Sequence, residues 1–153
     1  MKGRRQKGFS LVEVIVALGL LAGVLIAIAG LFTIGGKQVK SGRTATEALS
    51  VARGILEEMD AWSYRQTYQL YGFDGTANNY TVDTRTNSYA SKWQPNIDDK
   101  LFNGYGNIVL ESVGPGTGSP PAMNASRAVR VTVTVHWDEG QRHRTVRLGT
   151  VRM

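Results

Sequence analysis

From Val14 to Phe32 the chain runs without a charged or strongly polar side chain. As a helix this stretch is long enough to cross the roughly 30 Å hydrocarbon core of a bilayer, which takes about 20 residues. At 153 residues, the chain has room for one modest core besides such a segment. Four cations, Lys2, Arg4, Arg5 and Lys7, precede the run within the first eight residues. The positive-inside rule keeps this leader in the cytoplasm and sends everything after about residue 36 to the other side. One carboxylate, Glu13, stands at the start of the run. A charge in hydrocarbon costs about 2.5–3.5 kcal/mol even on lenient insertion scales, so Glu13 needs a partner or a purpose.

The formal net charge of +6 invites a nucleic-acid reading, but much of it belongs to the leader. Taking the leader's four cations from the 18 Lys and Arg leaves 14 against 12 Asp and Glu, a net +2. That is an ordinary surface, and no nucleic-acid partner is expected from it. The chain has no cysteine, so it has neither a disulfide staple nor a thiolate metal site.

Three readings of the N-terminus compete. A plain signal anchor leaves Glu13 unexplained. A cleaved secretory signal finds a small-x-small site at Ala27-Ile28-Ala29, but its apolar region is normally about 7–15 residues, shorter than this one. The third reading rests on Lys7-Gly8-Phe9-Ser10-Leu11-Val12-Glu13. This stretch resembles the class III leader of type IV pilins and of the related pseudopilins of type II secretion. It is a short basic leader ending in Gly, then Phe, then Glu four residues on, then the apolar run. The resemblance implies that a prepilin peptidase cuts between Gly8 and Phe9 and that Phe9 becomes an N-methylated mature terminus. On a helix Glu13 lies one turn from Phe9 on the same face. Its carboxylate can then balance a terminal amine, first its own and later that of a neighbouring subunit in a filament. An unpaired buried charge is strongly unfavourable, so such pairing draws the segment out of lipid and into register. Snorkelling of Glu13 at the interface is the simpler alternative.

Beyond the apolar run the helix continues, with Gly35-Gly36 as a local weak point. Apolar residues at Ala45, Leu49, Ala52, Leu56 and Met59, widened by Ile55 and Trp62, predict an amphipathic stretch that packs on one side. The helix as a whole is expected from Phe9 to about Tyr64. Near the C-terminus Val129, Val131, Val133, Val135 and Trp137 alternate with polar residues and predict a half-buried strand. Asp138-Glu139-Gly140-Gln141 reads as a turn, and the segment from Arg142 returns, with Val146 and Leu148 continuing the buried face. Residues 107–113 read as another strand. Residues 65–106 read as a variable surface loop with one or two short strands, one near Tyr80–Asp83. The expected fold is α+β: a long N-terminal helix, transmembrane in its first half and amphipathic in its second, packed on a small antiparallel sheet. The expected divisions are leader 1–8, polymerisation helix 9–35, amphipathic helix 36–64, and loop with sheet 65–153.

Other motifs carry less. Gly114-x-Gly116-x-Gly118 looks like a phosphate loop, but Pro120-Pro121 stands where its helix must begin, which favours a plain loop. His136 and His143 fall on neighbouring strands without an evident third ligand, so no metal is assigned. Asp83, Asp98 and Asp99 lack the spacing of a calcium loop. Trp62, Tyr64, Tyr68, Tyr71 and Phe73 read as core and helix-end packing. No nucleophile–base arrangement and no cofactor motif are visible, so an enzyme is not expected. The segment Ser50–Trp62 and the His136-Trp137 hairpin look like those of PilV-type minor pilins and of the I-type minor pseudopilin. The resemblance implies a minor pilin that helps prime and assemble a type IV pilus from the inner membrane, in a complex at the pilus tip. Its partners would be the major pilin, other minor pilins, the prepilin peptidase, the inner-membrane assembly platform and a tip adhesin. A type II secretion pseudopilin and a signal-anchored periplasmic binding module remain the alternatives.

Overall fold

The structure, a computed structural model, describes residues 10–114 and 120–153. The chain divides into two compact units, Met1–Lys40 and Ser41–Met153. Helix α1, Leu11–Asp60, runs through the boundary between them. Gly35 and Gly36 stay helical, so the expected weak point does not interrupt it.

In the second unit α1 is followed by α2 (Gln66–Gln69), β1 (Asn79–Asp83), a 3-10 turn (Ala90–Trp93), α3 (Gln94–Lys100) and β2 (Tyr105–Val113). A further 3-10 turn (Met123–Ala125) leads to β3 (Ala128–Glu139) and β4 (Arg142–Arg152). The four strands form one antiparallel sheet in the order β1-β2-β3-β4. The expected α+β fold, a long helix packed on a small antiparallel sheet, is what forms.

The inward set expected on β3 forms: Val129, Val131, Val133, Val135 and Trp137 are all buried, and Thr134 on the other face is buried as well. The inward five meet Ile108 and Leu110 of β2 and Val82 of β1, and Val146 and Leu148 of β4 pack at the margin. The helix covers this face with Ala48, Val51, Ala52, Ile55 and Met59. This stripe shares Ala52, Ile55 and Met59 with the expected one. It is turned from it by roughly 40° about the helix axis at about 100° per residue, and Ala45, Leu56 and Trp62 stay packed at its margin. Leu49, expected inside, is 42% exposed, whereas Ala48 and Val51 are buried. Ala48 and Ala52, the small residues of the stripe, are fully buried.

The helix also stops at Asp60, earlier than Tyr64. Its last turn tightens through Ala61 N–H to Glu58 O (3.2 Å) and Trp62 N–H to Met59 O (3.0 Å). Arg152 on β4 then donates to the carbonyls of Met59, Asp60 and Trp62. The Met59 carbonyl thus accepts a second bond beside that from Trp62 N–H, and the other two carbonyls lie at and just beyond the helix end.

Residues 65–106 are not a surface loop. Beside β1 they form α2, α3 and a 3-10 turn, and they send Tyr68, Tyr71, Trp93, Ile97 and Leu101 into the core. Thr84 Oγ1 accepts from Gly106 N–H (2.9 Å) and donates to Gln94 Oε1 (2.5 Å), and Gln94 Nε2 donates to Gly104 O (2.8 Å). This chain of bonds ties α3 to the start of β2.

Candidate assembly site

The N-terminal features belong to the first unit. Gly8 and Phe9 lie outside the described residues. Among the described residues, the first carbonyl to accept a helical bond is that of Ser10, from Val14 N–H at 3.2 Å. Glu13 sits in the first turn of α1. It is exposed, as are its apolar successors. From Leu11 to Ile34 the large side chains range from 43% exposed at Ile28 to 77% at Phe32. Such an exposed apolar surface suits lipid or another subunit. Among the described residues α1 is the helix long and apolar enough to cross a membrane.

Residues 3–34 match the family model described as the prokaryotic N-terminal methylation motif. The N-terminal segment of the chain is that of a type IV pilin-like protein. The match spans Gly8, Phe9, Glu13 and the apolar run together. Comparison with curated proteins and with solved structures returned no match. A pilin-like N-terminus points to a structural subunit anchored in a membrane by its first helix.

The second unit carries two side-chain assemblies. The first is aromatic and lies at the end of α1. Trp62, Tyr71, Tyr89 and Trp93 meet with ring centres 5.6–6.4 Å apart. The Lys92 ammonium lies 3.9 Å from the Tyr89 ring centre and 4.8 Å from that of Trp93, a cation–π arrangement. Lys92 and the Trp93 indole (2.7 Å) both donate to Glu58. Burial pushes the Glu58 carboxyl up, but these two donors outweigh it and hold the group below its usual range. Tyr64 Oη donates to Met123 O at 2.9 Å, and Tyr68 packs edge-on against Tyr64 and Phe73. The five aromatics expected to pack at the helix end do so. Tyr89, Trp93 and Lys92 had no such signal, because only the fold brings them to the same place.

The second assembly crosses the sheet on the face away from α1. Arg85, Tyr105, His136 and His143 form a row of stacked groups. Asp83 accepts from Arg85 through both oxygens, and these bonds hold its carboxyl below its usual range. Asp98 accepts from Gln94 Nε2 at 2.8 Å. His136 and His143 do come together, as their strands suggest. Among the described residues, no three His, Cys, Asp or Glu side chains are grouped so as to hold a metal ion. Of the glycine-rich stretch, Gly116 and Gly118 lie outside the described residues.

Proposed function

We propose that the protein is a minor pilin that takes part in priming and assembling a type IV pilus, in a complex at the pilus tip. The observation that carries this reading is the methylation motif leading into a helix with exposed apolar side chains. In this reading residues 1–8 are removed by the prepilin peptidase and Phe9 is N-methylated. Residues 9–35 anchor the subunit in the inner membrane and later pack in the filament, while 36–64 and 65–153 form the periplasmic part. Partners are the major pilin, other minor pilins, the assembly platform and a tip adhesin. Glu13 pairs with the terminal amine of a neighbour and so guides transfer from lipid to filament.

Mass spectrometry of the N-terminal peptide from the native host tests the processing step. The expected species begins at N-methyl-Phe9. A chain beginning at Gly30, or an uncut Met1 form in cells with active peptidase, overturns the reading. Glu13→Leu tests the assembly step. Insertion and cleavage should persist, since the change removes a charge from the segment and leaves the junction intact. Surface pili and recovery of other minor pilins should fall, with Glu13→Asp between wild type and Leu. Normal filament numbers in Glu13→Leu would leave the carboxylate as an interfacial group only. Loss of protein secretion with normal piliation on deleting the gene would assign the subunit to a secretion filament instead.

A further inference from the structure

The row of stacked groups on the outer sheet face has no part in that assembly chemistry. The Arg85 guanidinium lies 3.8 Å from the centre of the Tyr105 ring. Next, on β3, the His136 ring lies nearly parallel to Tyr105, at 10° and 4.6 Å between centres. His143 of β4 follows at 5.7 Å, and its Nδ1 meets Asp138 Oδ1 at 2.6 Å. His136 Nδ1 is buried and has no hydrogen-bond partner.

The charges facing His136 are unbalanced. From β4 come His143 and Arg147, and from the β1 side come Arg85 and Asp83. From β2 comes Tyr105, its register partner. Asp83 is the sole carboxylate of this set, and Arg85 already holds it at 3.0 and 2.6 Å. A neutral imidazole fits: it leaves only a lone pair unmatched at Nδ1 and keeps the stack. A proton on Nδ1 would be buried without an acceptor, near two guanidinium groups and a second imidazole. The imidazolium must turn out to water, and in doing so it abandons Tyr105. His143 differs, because its Nδ1 has Asp138 as a hydrogen-bond partner.

We propose that His136 is an acid-operated latch: neutral, it sits stacked between Tyr105 and His143 and holds the hairpin end of the sheet, and protonated, it leaves the stack and frees that end. Burial first, then His143 and Arg85, hold the His136 imidazole below the usual histidine value. Its stabilising contribution is therefore complete above the unfolded value of about 6.5 and is lost as pH falls through the lower folded value. The end released includes Glu139, which accepts from Ser41 of α1 (3.0 Å) and Arg144 (3.1 Å).

The test is an NMR titration of the full-length protein in detergent micelles from about pH 8 to about pH 4.5, a range that spans histidine protonation. The Tyr105 ring signals should move with the same midpoint as the His136 ring. Amide exchange at Thr145 and Val146, corrected for intrinsic rates, should rise severalfold through that midpoint. His136→Phe keeps a stacking ring that cannot charge and should abolish the acid response. His143→Gln removes a repulsive neighbour and should raise the His136 midpoint. Static Tyr105 signals while His136 titrates would overturn the proposal, as would an unchanged acid response in His136→Phe. The wild-type Tyr105 measurement decides the matter even if the Phe variant fails to fold.

Discussion

Arg152 shows what one side chain can do for a helix end. Its guanidinium satisfies three carbonyls around the last turn of α1 and reaches Asp60 Oδ1 at 3.2 Å. A cation there also complements the negative end of the helix. Arg152→Ala should cost about 1.5–3 kcal/mol, the range for hydrogen bonds to a charged group, and denaturant unfolding would measure it. Arg152→Lys should recover only part, since an ammonium cannot reach several carbonyls in one plane. The buried stripe makes a second test at this scale. Met59→Ala should destabilise by about 2–5 kcal/mol, whereas Leu49→Ala, at an exposed position, should stay within about 0.5 kcal/mol. Similar losses at both sites would mean that the buried face of α1 has been misassigned. Neither the role of Arg152 nor the exposure of Leu49 was legible in the sequence. Arg152 is one of four arginines on β4, and only folding decides which meets carbonyls. Leu49 fits a helical spacing as well as Ala48 does.

Elements differ in how openly their sequences declare them. β3 was plain, because a strand covered on one face must alternate, and its five inward residues do so without exception. Residues 65–106 were opaque for the opposite reason. Their helices span four and seven residues, too short for a period to emerge. Their core contribution is scattered over short elements: Tyr68 in α2, Tyr71 just after it, Trp93 in a 3-10 turn, Ile97 in α3 and Leu101 just past it. The β3–β4 turn was legible through one residue. Gly140 has φ +64 at the first central position of a two-residue loop, where a hairpin favours glycine. A Cβ there meets open space, so substitution carries only a conformational penalty. Gly140→Ala should lower stability by about 1–2 kcal/mol, and Gly140→Asn by less, since Asn tolerates this backbone region better. Equal thermal midpoints for glycine and alanine would contradict that account.

At the scale of the whole molecule, every buried apolar residue among those described lies between Ala48 and Trp137, within the second unit. A fragment comprising Ser41–Met153 should therefore be soluble and unfold cooperatively, while the full chain should need detergent. A fragment that aggregates or melts without cooperativity would show that the second unit depends on the first. The same layout sets a timetable for a chain made from its N-terminus. Seventy positions separate Met59, the last member of the helix stripe, from Val129, the first inward residue of the strand that covers it. At synthesis rates of about 5–20 residues per second, this central strand of the cover arrives about 4–14 s after Met59. During that interval the half-made subunit offers an incompletely covered helix face to every other nascent surface nearby. Two of the five residues in the stripe, Ala48 and Ala52, are the smallest apolar side chains available, and they keep that waiting surface slight.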